Sequence, residues 1–170
     1  DRVRQGKSAT AKEHHQFAAL MMIFFGRLDA EKGWTKQLHL GAMRNNNSRL
    51  YQDLGPDIGF DSIGDWSQAG PLTNYLDSLD QTDTLPKMIL YNLNPADNHL
   101  LASMIGNFQS GERAGKIQWG SSWWFLDQWD GMVSQLDTLS NLGLLSQFVG
   151  MLTDSRSFMS YPRHEYFRRV

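Results

Sequence analysis

A chain of 170 residues is long enough for one domain with a sizeable core. It is 41% hydrophobic and 20% charged with a net charge of −2, a globular composition without the basic face a nucleic-acid partner needs. With no cysteine, disulfide scaffolds and thiolate zinc sites are excluded and a cytoplasmic location is expected; no apolar run approaches the roughly 18 residues of a membrane span.

Residues 1–10 are polar and irregular. From Ala11 a helix is predicted, with Phe17, Leu20, Met21, Phe24, Phe25 and Leu28 recurring at i, i+3, i+4 and i+7 as one buried face. Gly33 stands just past its end, where glycine commonly stops a helix. A strand is expected from Thr35 to Leu40, then a long polar loop from Asn45 to Gly70. In that loop Asp57, Asp61 and Asp65 are spaced by four, but they lack the ligand order of a calcium loop and read as turn residues. A helix over 72–79 buries Leu72, Tyr75, Leu76 and Leu79.

Pro86 opens the next unit, with Met88 to Tyr91 as a buried strand. Asn94 caps the following helix, Pro95 takes its first position, and Leu100, Leu101, Met104, Ile105 and Phe108 form its apolar face. A third strand is predicted over 116–119 and a helix over 131–142 that turns Met132, Leu136 and Leu139 inward, with Gly143 stopping it. A fourth strand is expected over 147–152 and a final helix from Pro162. The chain begins at Asp1 and stops at Val170, inside that helix, so it reads as part of a longer protein.

Strands alternating with helices of this length imply an α/β fold with a parallel sheet. Four such units make half of a (β/α)8 TIM-type barrel, which takes about 250 residues. Residues 1–170 are therefore expected to form a partial barrel domain, truncated at both ends.

Two polar motifs sit where strands should end, the place at which a barrel of this kind assembles its site. The first runs from His39 through Arg44 to Asn47. The second is Thr153-Asp154-Ser155-Arg156. His39 is either a metal ligand or a hydrogen-bonded histidine. Asp154 can bind a metal or carry a proton. Arg156, two positions on, shares its face in extended backbone and would either pair with it or hold an anion. Arg44 offers a planar fork that suits a carboxylate, and otherwise belongs to a helix start near Asn47. Trp123 and Trp124 are adjacent, so one is expected to face a site and the other to pack. The six Trp, nine Phe and five Tyr are mostly core, though some could line a sugar. His14, His15, His99 and His164 fall on predicted helices and are not assigned catalytic roles. No phosphate-binding glycine loop is present.

In order along the chain, His39-Leu-Gly-Ala-Met-Arg-Asn-Asn-Asn47, Phe60-Asp-Ser-Ile-Gly-Asp65, Leu85-Pro-Lys-Met-Ile-Leu-Tyr91, Met104-Ile-Gly-Asn-Phe108, Gly120-Ser-Ser-Trp-Trp-Phe125, Gly150-Met-Leu-Thr-Asp-Ser-Arg-Ser-Phe158 and Arg163-His-Glu-Tyr-Phe-Arg168 resemble the uronate isomerase (glucuronate isomerase) family. The resemblance implies an amidohydrolase-superfamily barrel of which this chain covers strands five to eight. It further implies interconversion of D-glucuronate with D-fructuronate, or D-galacturonate with D-tagaturonate, by proton transfer through an enediol. By that resemblance His39 follows strand five at or near a divalent metal, zinc in this reading. Asp154 follows strand eight and handles the proton. Arg44 and Arg156 bind the hexuronate, and Trp123 or Trp124 lines the sugar pocket. A homo-oligomer is the expected assembly. The first-strand His-x-His pair of the family is absent, so the segment alone is expected to be inactive. Leu126 and Trp129 also depart from the more polar family pattern.

Two other readings remain open. A related metal-dependent amidohydrolase would act on an amide, which the two arginines favour less than an anionic sugar. A non-catalytic sugar-binding module would be a complete small fold.

Overall fold

The computed structural model describes residues 2–152 and 157–170. Asp154 and Arg156 lie outside the described residues.

Helix α1 spans Ala11–Lys32. Its start is set by Thr10, whose hydroxyl accepts the Glu13 N–H at 3.3 Å while the Glu13 carboxylate accepts the Thr10 N–H at 2.8 Å. This reciprocal pair satisfies two donors that a helix start otherwise leaves open. Gly33, at φ 66°, closes the other end in the left-handed conformation that glycine adopts without strain.

Strand β1 (Thr35–Leu40) leads through Gly41 into the short β2 (Ala42–Met43). Helix α2 (Ser48–Leu54) and strand β3 (Ser62–Ile63) follow, then α3 (Ala69–Asp80). The second unit is β4 (Lys87–Asn92), a 3-10 turn at Pro95–Asp97 and α4 (Asn98–Met104). The third is β5 (Ile117–Trp119) with α5 (Trp129–Leu142); α6 (Pro162–Arg169) comes last.

The main sheet is parallel, in the order β1-β4-β5. Its register sorts the residues into two faces, because successive strand side chains alternate. Leu38, Leu90 and Trp119 are in line on one face, which is covered by α3, α4 and α5 through Leu72, Leu76, Leu79, Leu101 and Leu139. Gln37, Ile89 and Gln118 are in line on the other, with His39 beside Tyr91. No helix of the described residues is long and apolar enough to cross a membrane.

The α/β class and the parallel sheet are as the alternation of elements implied. Three local expectations are corrected. Residues 147–152 form no strand among the described residues: a 3-10 turn at Leu145–Gln147 leads in and Gly150 at φ 81° breaks the extension. There the Val149 N–H donates to the Gln118 side chain at 2.9 Å instead of to a strand backbone. The stretch from Asn45 to Gly70 is not a plain loop, because it holds α2 and β3, and β3 pairs antiparallel with β2 just before the stretch. Finally, Phe17, Leu20, Phe24 and Phe25 of α1 are exposed. The helix meets α3 on a neighbouring stripe, through the buried Gly26, where a Cβ would lie 2.6 Å from Leu79 Cδ1.

Candidate functional site

The C-terminal ends of β1, β4 and β5 and the loops beyond them bring the predicted side chains together. His39 stacks face to face on Tyr91, its register partner on β4, with centroids 4.6 Å apart and planes 10° from parallel. The Tyr91 hydroxyl donates to Gln37 Oε1 at 2.9 Å. Gln37 lies two residues before His39 and therefore on the same strand face. Burial pushes the Tyr91 phenol up to about 12. Gly120 makes this packing possible, since a Cβ there would stand 2.2 Å from the Tyr91 ring.

Beyond β5 the chain passes the buried Ser121 and Ser122 into a 3-10 turn at Trp124–Leu126. Trp124 has φ 51°, a conformation few non-glycine residues adopt. This turn sets both indoles on the site, where one had been expected to pack elsewhere. Trp123 meets His39 edge to face at 4.6 Å, and Trp124 lies beneath the Arg44 guanidinium, 5.0 Å from ring centroid to Cζ.

Arg44 follows β2. Its Nη1 donates to Asp57 Oδ1 at 3.4 Å and to Asp61 Oδ2 at 3.3 Å. Together with Trp123, Trp124 and Arg163 these residues line a cavity of about 310 Å3. Arg163 of α6 pairs with Asp127, which ties the last helix to the loop carrying the tryptophans. A narrower cleft next to it is lined by Gln37, His39, Tyr91, Ser122 and His164.

Of the residues expected at a site, the structure thus joins His39, Arg44, Trp123 and Trp124. Asp154 and Arg156 fall outside the described residues. Sequence reasoning passed over Gln37 and Tyr91, although strand alternation and register were available signals. It passed over Asp61, Asp127 and Arg163 because their partnerships cross long stretches of chain. Asp57 and Asp61 engage Arg44, and Asp65 accepts from Asn94 Nδ2 at 3.1 Å. Among the described residues no group of three or more His, Asp or Glu side chains is placed to hold a metal. His39 supplies one imidazole, so these residues do not by themselves fit a metal centre.

The family model described as glucuronate isomerase matches residues 1–170, the whole chain. The chain belongs to the glucuronate isomerase family. It is 66% identical over 169 residues to a uronate isomerase of Solibacter usitatus, which covers 99% of this chain and 36% of that relative. It is 64% identical over its full length to a uronate isomerase of Opitutus terrae, again 36% of the relative. Among solved structures, uronate isomerase from Thermotoga maritima matches with a TM-score of 0.84 and 33% identity, over 96% of this chain and 35% of that one. Glucuronate isomerase from Caulobacter crescentus matches with a TM-score of 0.81 and 26% identity, over 95% and 32% respectively. The chain therefore spans about a third of the length of the family members it matches. Its relatives carry the name of an isomerase acting on uronates.

Proposed function

We propose that this chain is the strand-five-to-eight part of a (β/α)8 barrel and supplies half of the active site of a uronate isomerase. The observation that carries the reading is Arg44, held over Trp124 at a cavity whose other wall is Trp123 packed on His39. An aromatic floor with a guanidinium above it suits a sugar acid, because the indole covers apolar C–H faces while the fork takes the carboxylate. The reaction would interconvert D-glucuronate and D-fructuronate, or D-galacturonate and D-tagaturonate, moving a proton between C1 and C2 through an enediol. Such chemistry needs a base at C2 and a donor for the developing oxyanion. Asp154 is the proton carrier of this reading, with Arg156 beside Arg44 in binding the substrate. His39 and Asp154 would be this segment's ligands to a zinc ion. The remaining ligands and strands would come from outside the segment, so activity belongs to the longer chain.

The test is an isomerase assay of the full-length source protein on glucuronate and galacturonate, with and without added zinc, alongside its intact mass. Activity on at least one uronate is expected. Asp154→Asn should lower kcat by about 100-fold or more, the scale of a lost general base, and Arg44→Ala should raise KM by at least about tenfold. No turnover of either uronate sinks the isomerase reading. A native protein of 19.4 kDa that is monodisperse and folded sinks the half-barrel.

A further inference from the structure

Asp61 has a place in the structure that its sequence spacing does not announce. Its side chain is 4% exposed, against 47% for Arg44 and 57% for Asp57. Its two oxygens are divided between two donors on one short segment. Oδ1 accepts the Asn45 N–H at 2.8 Å and Oδ2 accepts Arg44 Nη1 at 3.3 Å. The backbone fixes this arrangement. Strands β2 and β3 pair Ala42 with Ile63 and Met43 with Ser62, and the Asn46 N–H donates to Phe60 O at 2.6 Å. Between those anchors Asn45 turns to φ 56°, which brings its N–H to Asp61.

The consequence falls on the guanidinium. Both carboxylates take the same nitrogen, Nη1. Among the described residues Nε and Nη2 have no acceptor, so the two-donor edge that matches a carboxylate stays available. We propose that Asp61 is a positioning residue that pins Arg44 by Nη1 over Trp124, so that the Nε–Nη2 edge receives the carboxylate of the bound ligand. The proposal rests on the isomerase reading for the identity of that ligand. It adds how the binding arginine is pre-set: an arginine fixed before the ligand arrives has less freedom to lose on binding.

The experiment compares wild type, Asp61→Asn, Asp61→Glu, Arg44→Lys and the Arg44→Lys/Asp61→Asn double variant in the full-length protein. Asp61→Asn should raise KM for the uronate about tenfold with kcat within about threefold of wild type, the pattern of lost binding rather than lost chemistry. Asp61→Glu keeps the charge one methylene further out and should raise KM about threefold. On the Arg44→Lys background, which has no fork to aim, Asp61→Asn should add less than about twofold. A fall in kcat with KM unchanged overturns the proposal, as does a full tenfold addition on the lysine background. Should Asp61→Asn fail to fold, an unchanged KM in Asp61→Glu overturns it instead. Wild-type protein inactive on both uronates removes the isomerase reading and this proposal together. Normal wild-type turnover, with Arg44→Ala impaired and Asp61→Asn unaffected, removes this proposal alone.

Discussion

Tyr91 carries three constraints at once. It is 4% exposed, it stacks on His39, and its hydroxyl reaches Gln37. Burial raises its pKa from 10.0 to about 12, so the folded state holds the phenol proton more tightly than the unfolded chain does. The stabilisation linked to that proton is complete below pH 10 and is lost as pH rises towards 12. Tyr75 shifts the same way, through its own burial and the nearby Asp29 carboxylate, so two groups act in one window. Tyr91→Phe keeps the ring and removes the hydroxyl. It should cost about 1 kcal/mol at pH 8, the worth of one hydrogen bond, and make the alkaline decline shallower without abolishing it. Urea midpoints at pH 8 and pH 11 measure both effects. An unchanged decline would mean that Tyr91 does not carry its share of that linkage.

Among the elements, α1 teaches most about the limits of periodicity. Its apolar spacing correctly marks a helix with a hydrophobic stripe. Spacing cannot say which stripe meets a neighbour, because α1 is apolar over more than one. The contact with α3 falls where the side chain is smallest, at Gly26 against Leu79 and Tyr75. Filling that place should open the pair: Gly26→Leu is expected to destabilise the fold by about 2 kcal/mol through overpacking, read as a lower urea midpoint. A neutral result would mean that α1 and α3 can separate at little cost. The same limit explains the other mismatches. Residues 147–152 are apolar enough for a strand, but Gly150 and a side-chain partner for Val149 end the ladder at β5. The residues on either side of the loop that starts at Asn45 show no strand pattern, since β2 and β3 are two residues each and are held by pairing across that loop. Where an element is long enough to carry its own apolar run or period, as in β1, β4 and α3, it was legible. His39, Arg44 and the two tryptophans could be picked out individually. Asp61 and Asp127 could not, because each gains its meaning from an arginine far away in the chain.

Across the sheet, α3, α4 and α5 cover one face of the three parallel strands, while Gln37, His39 and Tyr91 occupy the other. Packing is thus handled on one side and chemistry-bearing groups are left on the other. Site residues reach it from every unit: β1 brings His39, the β2–β3 pair brings Arg44, the loop after β5 brings the indoles, and α6 brings Arg163. The chain carries six tryptophans, and Trp124 is the one found beneath a guanidinium among the described residues. Indole emission responds to the electric field across the ring, so this contact makes the molecule its own optical reporter. Adding glucuronate or galacturonate to the full-length protein should shift the fluorescence as the carboxylate neutralises Arg44. Trp124→Phe should erase that shift and leave the emission of the remaining indoles. A shift that survives the substitution would assign the signal to another indole. Binding could then be followed without turnover, in protein whose chemistry has been silenced.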